Sequence, residues 1–158
     1  MSLQLAKKHL SKFGVSDQIL EFPVSSATVE LAAQALNCTP SMIAKTLSFI
    51  VDEKPILIVV AGDYKIDNPR FKERFNTKAK MISADMVEAY IGHSIGGVCP
   101  FGVKDNVTTY LDESLKEHQF VYPACGSSNS AIKLSIAELE KFSLSSGWVS
   151  VTKKMEQA

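Results

Sequence analysis

Two apolar runs, TLSFIV (46–51) and PILIVVA (55–61), are separated only by Asp52-Glu53-Lys54. Short runs rich in Ile and Val, joined by a few polar residues, read as a β-hairpin in the core of a sheet. Strands joined that tightly are antiparallel, because parallel neighbours need a crossover of about a dozen residues or more. A purely parallel sheet is thereby excluded. Helical patterns lie on both sides of the hairpin, so the reading is an α/β fold. Its central mixed β-sheet is curled toward a barrel and surrounded by helices.

Working outward toward the N-terminus, Thr39-Pro40 supplies a cap and first helical position for a short helix ending near Ala44. TVELAAQAL (28–36) reads as a helix with Val29, Ala32, Ala33 and Leu36 facing inward. Ile19 to Val24 reads as a strand, and Leu3 to Phe13 as the first helix, stopped at Gly14. On the other side, Asn68-Pro69 opens a helix through Phe75, and Ser83 opens one that ends before Gly92. Residues 92–102 form a glycine-rich loop. TTYL (108–111) and QFVYPA (119–124) are short strands, CGSSNS (125–130) is a loop, and AIKL (131–134) follows it. Ser135 and Glu138 make a capping box for a helix through Phe142, and WVSV (148–151) supplies a last strand.

The 158 residues contain no repeat, low-complexity tract or Gly/Ser linker, so residues 1–158 read as a single domain. No run is long enough to span a bilayer. MSLQLAKKHLSKFG at the N-terminus lacks the apolar core of a signal peptide, so the expected address is the cytoplasm. Seventeen basic residues balance seventeen acidic ones, which argues against a DNA-binding regulator but leaves room for a small basic patch. Cys38, Cys99 and Cys125 are odd in number and widely spaced, and read as buried or half-buried thiols rather than a metal or disulfide framework. No metal and no cofactor are expected. His9 and His118 read as solvated, while His93 in the glycine loop is a candidate to line a site.

Three spots could carry chemistry. Lys45 follows a capped turn and precedes a core strand, which puts a cation at the mouth of the sheet. A snorkelling surface lysine fits that position as well. GHSIGGVCPFG (92–102) holds four glycines and a proline, the composition of a loop whose backbone approaches something closely. Exposed N–H groups there could bind a phosphate or an oxyanion, and a tightly packed turn is the competing reading. ACGSSNSAI (124–132) places a small-residue, hydroxyl-rich loop after a strand, and it could equally be a plain hairpin loop.

Taken together, SATVELAAQALNCTPSMIAKTLSFIV (26–51), KPILIVVAGDYKID (54–67), IGHSIGGVCPFG (91–102) and VYPACGSSNSAIKLSIAEL (121–139) resemble, in order and spacing, the YbaK/ProX family of aminoacyl-tRNA editing domains. Lys45 matches that family's essential lysine, and Gly96 and Pro100 hold its GxxxP spacing. The resemblance implies a trans-acting aminoacyl-tRNA deacylase, a hydrolase that cleaves the ester at the 3′ end of a mischarged tRNA. It implies catalytic roles for Lys45, Gly96 and Gly97. It implies substrate contacts from Thr28, His93, Val98, Cys99, Pro100, Phe101, Gly126 and Ser127. The implied partners are the 3′ end of aminoacyl-tRNA and a prolyl-tRNA synthetase, with no membrane and no specific DNA. Members that prefer cysteinyl-tRNA carry an aspartate in the loop where Ala131 stands here. That departure points to tRNA-Pro carrying Ala or another small amino acid rather than Cys. The alternative is a non-catalytic module that binds a nucleotide or tRNA end in regulation.

Overall fold

The computed structural model describes residues 2–155, with the Ser2 side chain left out. The hairpin forms as its sequence predicts. β2 (Ile43–Val51) and β3 (Lys54–Ala61) pair antiparallel, with Val51 opposite Lys54. The turn is therefore two residues long. Asp52 and Glu53 both take positive φ, 52° and 66°, the backbone of the mirror-image turns that match strand twist.

β3 is buried on both faces, which is why its sequence is a continuous apolar run instead of an alternating one. Leu57 packs with Ile82, Val87 and Ile91, while Val59 and Ala61 join Ala6, Leu10, Phe101, Leu115 and Leu139. On the opposite face, Ile56, Ile58 and Val60 meet Phe49, Phe71, Val149 and Val151. The rings of Phe49 and Phe71 lie 5.0 Å apart.

The helices around this sheet are α1 (Ser2–Ser11), α2 (Val29–Leu36), α3 (Asn68–Phe75), α4 (Val87–Ile91) and α5 (Ile136–Phe142). The remaining strands are β1 (Leu20–Glu21), β4 (Tyr64–Ile66), β5 (Thr108–Asp112), β6 (Phe120–Pro123), β7 (Ser130–Ala131), β8 (Leu134–Ser135), β9 (Trp148–Val149) and β10 (Thr152–Lys154). The main sheet has the order β8-β6-β2-β3-β5-β9 and curls into a half-barrel. It is mixed: β2–β3 and β6–β8 are antiparallel, whereas β2–β6, β3–β5 and β5–β9 are parallel. Two small antiparallel ribbons, β1–β7 and β4–β10, flank it.

Local capping follows the sequence closely. The Thr28 hydroxyl accepts the Leu31 N–H at 3.1 Å, which fixes the start of α2. Ser135 and Glu138 exchange side-chain and backbone hydrogen bonds at the start of α5.

Four expectations need correction. The helix expected from Thr39 to Ala44 is one 3-10 turn, Pro40–Met42, because β2 already begins at Ile43. The strand expected over Ile19–Val24 shrinks to two residues, since Pro23 has no N–H for a ladder and Phe22 instead donates to Asn129 O. The helix expected from Ser83 begins only at Val87, after a turn in which Met86 N–H reaches Ser83 O. His9 is buried, not solvated: one ring nitrogen lies 2.6 Å from Phe142 O and the other accepts Gly102 N–H at 2.9 Å.

One feature of the sheet decides where a ligand can enter. β6 pairs with β2 only at Ile43 and Ala44, and then diverges. Farther along the same edge, Met81 bridges Phe49, Ile50 N–H donates to Lys80 O, and Ile82 N–H donates to Ser48 O. Between these two partners, Lys45–Leu47 has no register partner on that edge among the described residues.

Candidate active site

A cavity of about 530 Å3 occupies this gap. Its floor is β2 from Ile43 to Ser48. One wall is the start of α2 with Ser26, Ala27 and Thr28 before it; another is Met81, Ile82 and the start of α4. Ile95, Gly96 and Val98 close one side, and Tyr122, Ala124, Ser130 and Ala131 close the other.

Lys45 is the one charged side chain lining the cavity among the described residues. It is half-buried, and its Nζ donates to Gly62 O at 3.4 Å. Burial lowers its ammonium below the ordinary lysine value, and the carboxylates of Asp63 and Glu30 pull it back up. The adjacent Thr46 lines the same cavity, and its buried Oγ1 has no hydrogen-bond partner among the described residues. The site thus offers a partly desolvated cation beside an unsatisfied hydroxyl and a helix N-terminus, a combination suited to an anionic or strongly polar ligand.

Three loops converge to shape the glycine side. Ser26 N–H donates to Ser128 O at 2.6 Å, and Asn129 Nδ2 donates to Phe22 O at 2.9 Å, so the segment before α2 is laced to the 124–130 loop. Gly97 presses against that loop: a Cβ placed on it would stand 2.6 Å from the Gly126 carbonyl carbon and the Ser127 nitrogen. Only a residue without a side chain fits there. Gly96 takes φ +91° with its α-carbon facing Ala27 and Ser128. The Gly97 amide donates to Ser94 O at 3.1 Å, whereas no backbone carbonyl among the described residues accepts Gly96 N–H.

Of the residues singled out by sequence, the structure brings Thr28, Lys45, Gly96 and Val98 to the cavity wall. Gly97, Gly126 and Ser127 form the backbone contact one layer behind, where Ser127 Oγ donates to Ser130 Oγ at 2.6 Å. Cys99, Phe101 and His93 are completely buried beneath the loop. Pro100 faces a second hollow, shared with Lys8, His9, Lys12 and Lys104. His93 Nε2 lies 2.6 Å from Phe101 O, which can only accept, so Nε2 carries the proton and is no base for the Cys99 sulfur 3.5 Å away. Burial pushes the Cys99 thiol up to about 12. Sequence reasoning passed over Thr46, Tyr122 and Ser130. Strand alternation would have turned Thr46 away from the side that Lys45 faces, so it carried no signal in the sequence.

The sequence matches the aminoacyl-tRNA editing domain over residues 24–142. It is 48% identical over 157 residues to YwhH, an uncharacterized protein of Bacillus subtilis strain 168, covering 99% of this chain and 100% of that one. It is 27% identical over 110 residues to EbsC of Enterococcus faecalis, a candidate Cys-tRNA(Pro)/Cys-tRNA(Cys) deacylase, covering 68% of this chain and 67% of that one. It also matches 16% of the length of a proline–tRNA ligase of Lactiplantibacillus plantarum at 25% identity, using 57% of this chain. Its fold superposes with a TM-score of 0.86 on the crystal structure of a candidate trans-editing enzyme for prolyl-tRNA synthetase, at 24% identity over 96% of this chain and 97% of that one. The cavity described above lies within the matched residues, and the chain belongs to the aminoacyl-tRNA editing domain family.

Proposed function

We propose that this chain is a trans-acting deacylase that hydrolyses the ester between a small amino acid, alanine foremost, and the terminal adenosine of tRNA-Pro. The observation that carries the reading is that a half-buried Lys45 and the Gly96 backbone line the same cavity. The family membership supports it.

In the proposed reaction, water attacks the ester carbonyl, assisted by the neighbouring ribose hydroxyl. A C–O bond forms, the ester C–O bond breaks, and the water proton ends on the departing ribose oxygen. Lys45 holds the terminal phosphate or the ester end as a point charge. Gly96 N–H faces the oxygen on which negative charge develops; such a donor is worth about 2.7–4 kcal/mol of barrier. Gly97 serves this by holding the loop against Ser127, its own amide being engaged with Ser94 O. Thr28 and Val98 bound the substrate, and Thr46 Oγ1 gains the partner it lacks among the described residues. Small lining residues, Ala27, Ala44, Ala124 and Ala131, accept a compact aminoacyl group, while bulk excludes larger ones.

The test is a panel of Ala-, Cys-, Ser- and Pro-charged tRNAs with purified protein under multiple turnover. Release of alanine fastest, with proline spared, supports the reading. Tight binding of the tRNA end without turnover would replace it with the regulatory binding module.

A further inference from the structure

We propose that the basic strip centred on Lys78 and Lys80, and reaching Lys72, docks the phosphodiester backbone of the tRNA acceptor end whose 3′ terminus enters the cavity. The proposal rests on the reading of the cavity as a tRNA-end site. Four observations carry it.

The chain balances seventeen cations with seventeen carboxylates, yet Lys65, Arg70, Lys72, Arg74, Lys78 and Lys80 are accompanied between residues 65 and 80 only by Asp67 and Glu73. Within this stretch, Arg70 pairs with Asp67 at 3.6 Å, and the Arg74 guanidinium lies over the Phe75 and Tyr110 rings. Lys72, Lys78 and Lys80 are exposed and have no ion-pair partner among the described residues.

The backbone aims the strip at the cavity. Ala79 packs into the apolar layer under α3, while Lys78 and Lys80 on either side of it are exposed. Lys80 O accepts Ile50 N–H at 2.9 Å, which pins the strip to the edge of β2. The next residue, Met81, lines the cavity and is 58% exposed, so a chain leaving the cavity over Met81 meets Lys80 first.

The nearby β4–β10 ribbon shows the same excess. Lys65 and Lys153 sit directly opposite each other, a like-charge pair that costs stability in the free protein and is relieved by an anionic partner. α3 is tied to this ribbon by Arg70, which donates to Thr152 O at 2.9 Å.

Ammonium groups on flexible stems, without the bidentate fork of arginine, suit contacts to phosphates and carry no base readout. Along the sequence the run of cations ends at Lys80, and the next charged residues, Asp85 and Glu88, are exposed carboxylates.

The experiment compares the wild-type protein with Lys78→Glu/Lys80→Glu, using Lys7→Glu/Lys141→Glu as a charge-matched control elsewhere on the surface. Fluorescence anisotropy measures binding of uncharged tRNA-Pro and of a CCA trinucleotide across a salt series, and steady-state kinetics follow in parallel. The strip variant is expected to bind tRNA at least about tenfold more weakly at low salt. Its salt slope should fall by about 1 for each lysine replaced. Trinucleotide binding and kcat should hold while KM for aminoacyl-tRNA rises. Equal tRNA affinity and slope in all three proteins would overturn the strip, as would loss of binding to phosphatidylserine vesicles with tRNA binding unchanged. Because the binding arm uses uncharged tRNA, strip-dependent binding without deacylation sinks the proposed activity and leaves the strip standing. Deacylation with an unchanged KM does the reverse.

Discussion

Gly97 and Ser127 touch backbone to backbone, with no room between them for a β-carbon. Gly96, one residue away, has room for one, at 3.4 Å from the Ala27 Cβ, but holds φ +91°. The two glycines therefore separate packing from chemistry. Gly97→Ala forces the glycine loop off the 124–130 loop and is expected to lower Tm by several degrees. Gly96→Ala is expected to cut turnover at least about 100-fold, the scale of a lost oxyanion donor, with a smaller change in Tm. Thermal melts and single-turnover deacylation on both variants check this. A destabilised but fully active Gly96→Ala protein would remove its amide from the mechanism.

Lys45→Ala is expected to fold and to lose deacylation. A hydrogen bond to a charged group is worth about 1.5–3 kcal/mol, or roughly ten- to a hundredfold in rate. Circular dichroism establishes the fold, and kcat/KM on Ala-charged tRNA gives the loss. Near-wild-type turnover would show that Lys45 serves only its contact with Gly62.

Cys99→Ala is expected to retain most of the activity. The sulfur is fully buried, its thiol is pushed up to about 12, and the neighbouring His93 Nε2 donates elsewhere. Mass spectrometry of quenched reactions should find no aminoacyl adduct on any cysteine; an adduct at Cys99 would require a covalent mechanism.

Stability should depend on His9. Burial lowers its pKa below the ordinary value of 6.5, outweighing the Phe142 carbonyl, which raises it; Lys12 lowers it slightly further. The neutral ring donates from Nε2 to Phe142 O and accepts Gly102 N–H at Nδ1, so a second ring proton would confront a donor. The folded protein then binds fewer protons than the unfolded chain just below pH 6.5. The contribution is complete above that value and is lost as pH falls through it. His93, likewise lowered by burial, acts in the same sense. Tm is expected to fall from pH 7.5 to pH 5.5, and His9→Gln should start lower at pH 7.5 and lose less. Parallel pH curves for the two proteins would remove His9 from this dependence.

Much of the fold was legible because its signals are local. The hairpin announces itself through Ile and Val runs, α2 through Thr28, and α5 through the Ser135–Glu138 box. β10 and β4 were not legible as strands: their residues are largely polar or exposed, and only their mutual pairing makes them a ribbon. His9 was misread because a histidine among lysines on a helix carries no sign of the loop that will cover it. At the cavity, Lys45 and the glycine loop stood out by residue type. Tyr122 and Ser130 did not, since ordinary residues join a wall only when distant segments meet there.

The interruption along β2 also bears on how the molecule avoids its own kind. An unpaired strand edge is a template on which another chain can add a strand and begin to aggregate. Here the bare stretch is only Lys45–Leu47, stopped at one end by β6 and at the other by Met81. That is too short to seat an extended polypeptide, yet the space over it holds about 530 Å3. The opening is denied to a β-strand and left to a compact ligand.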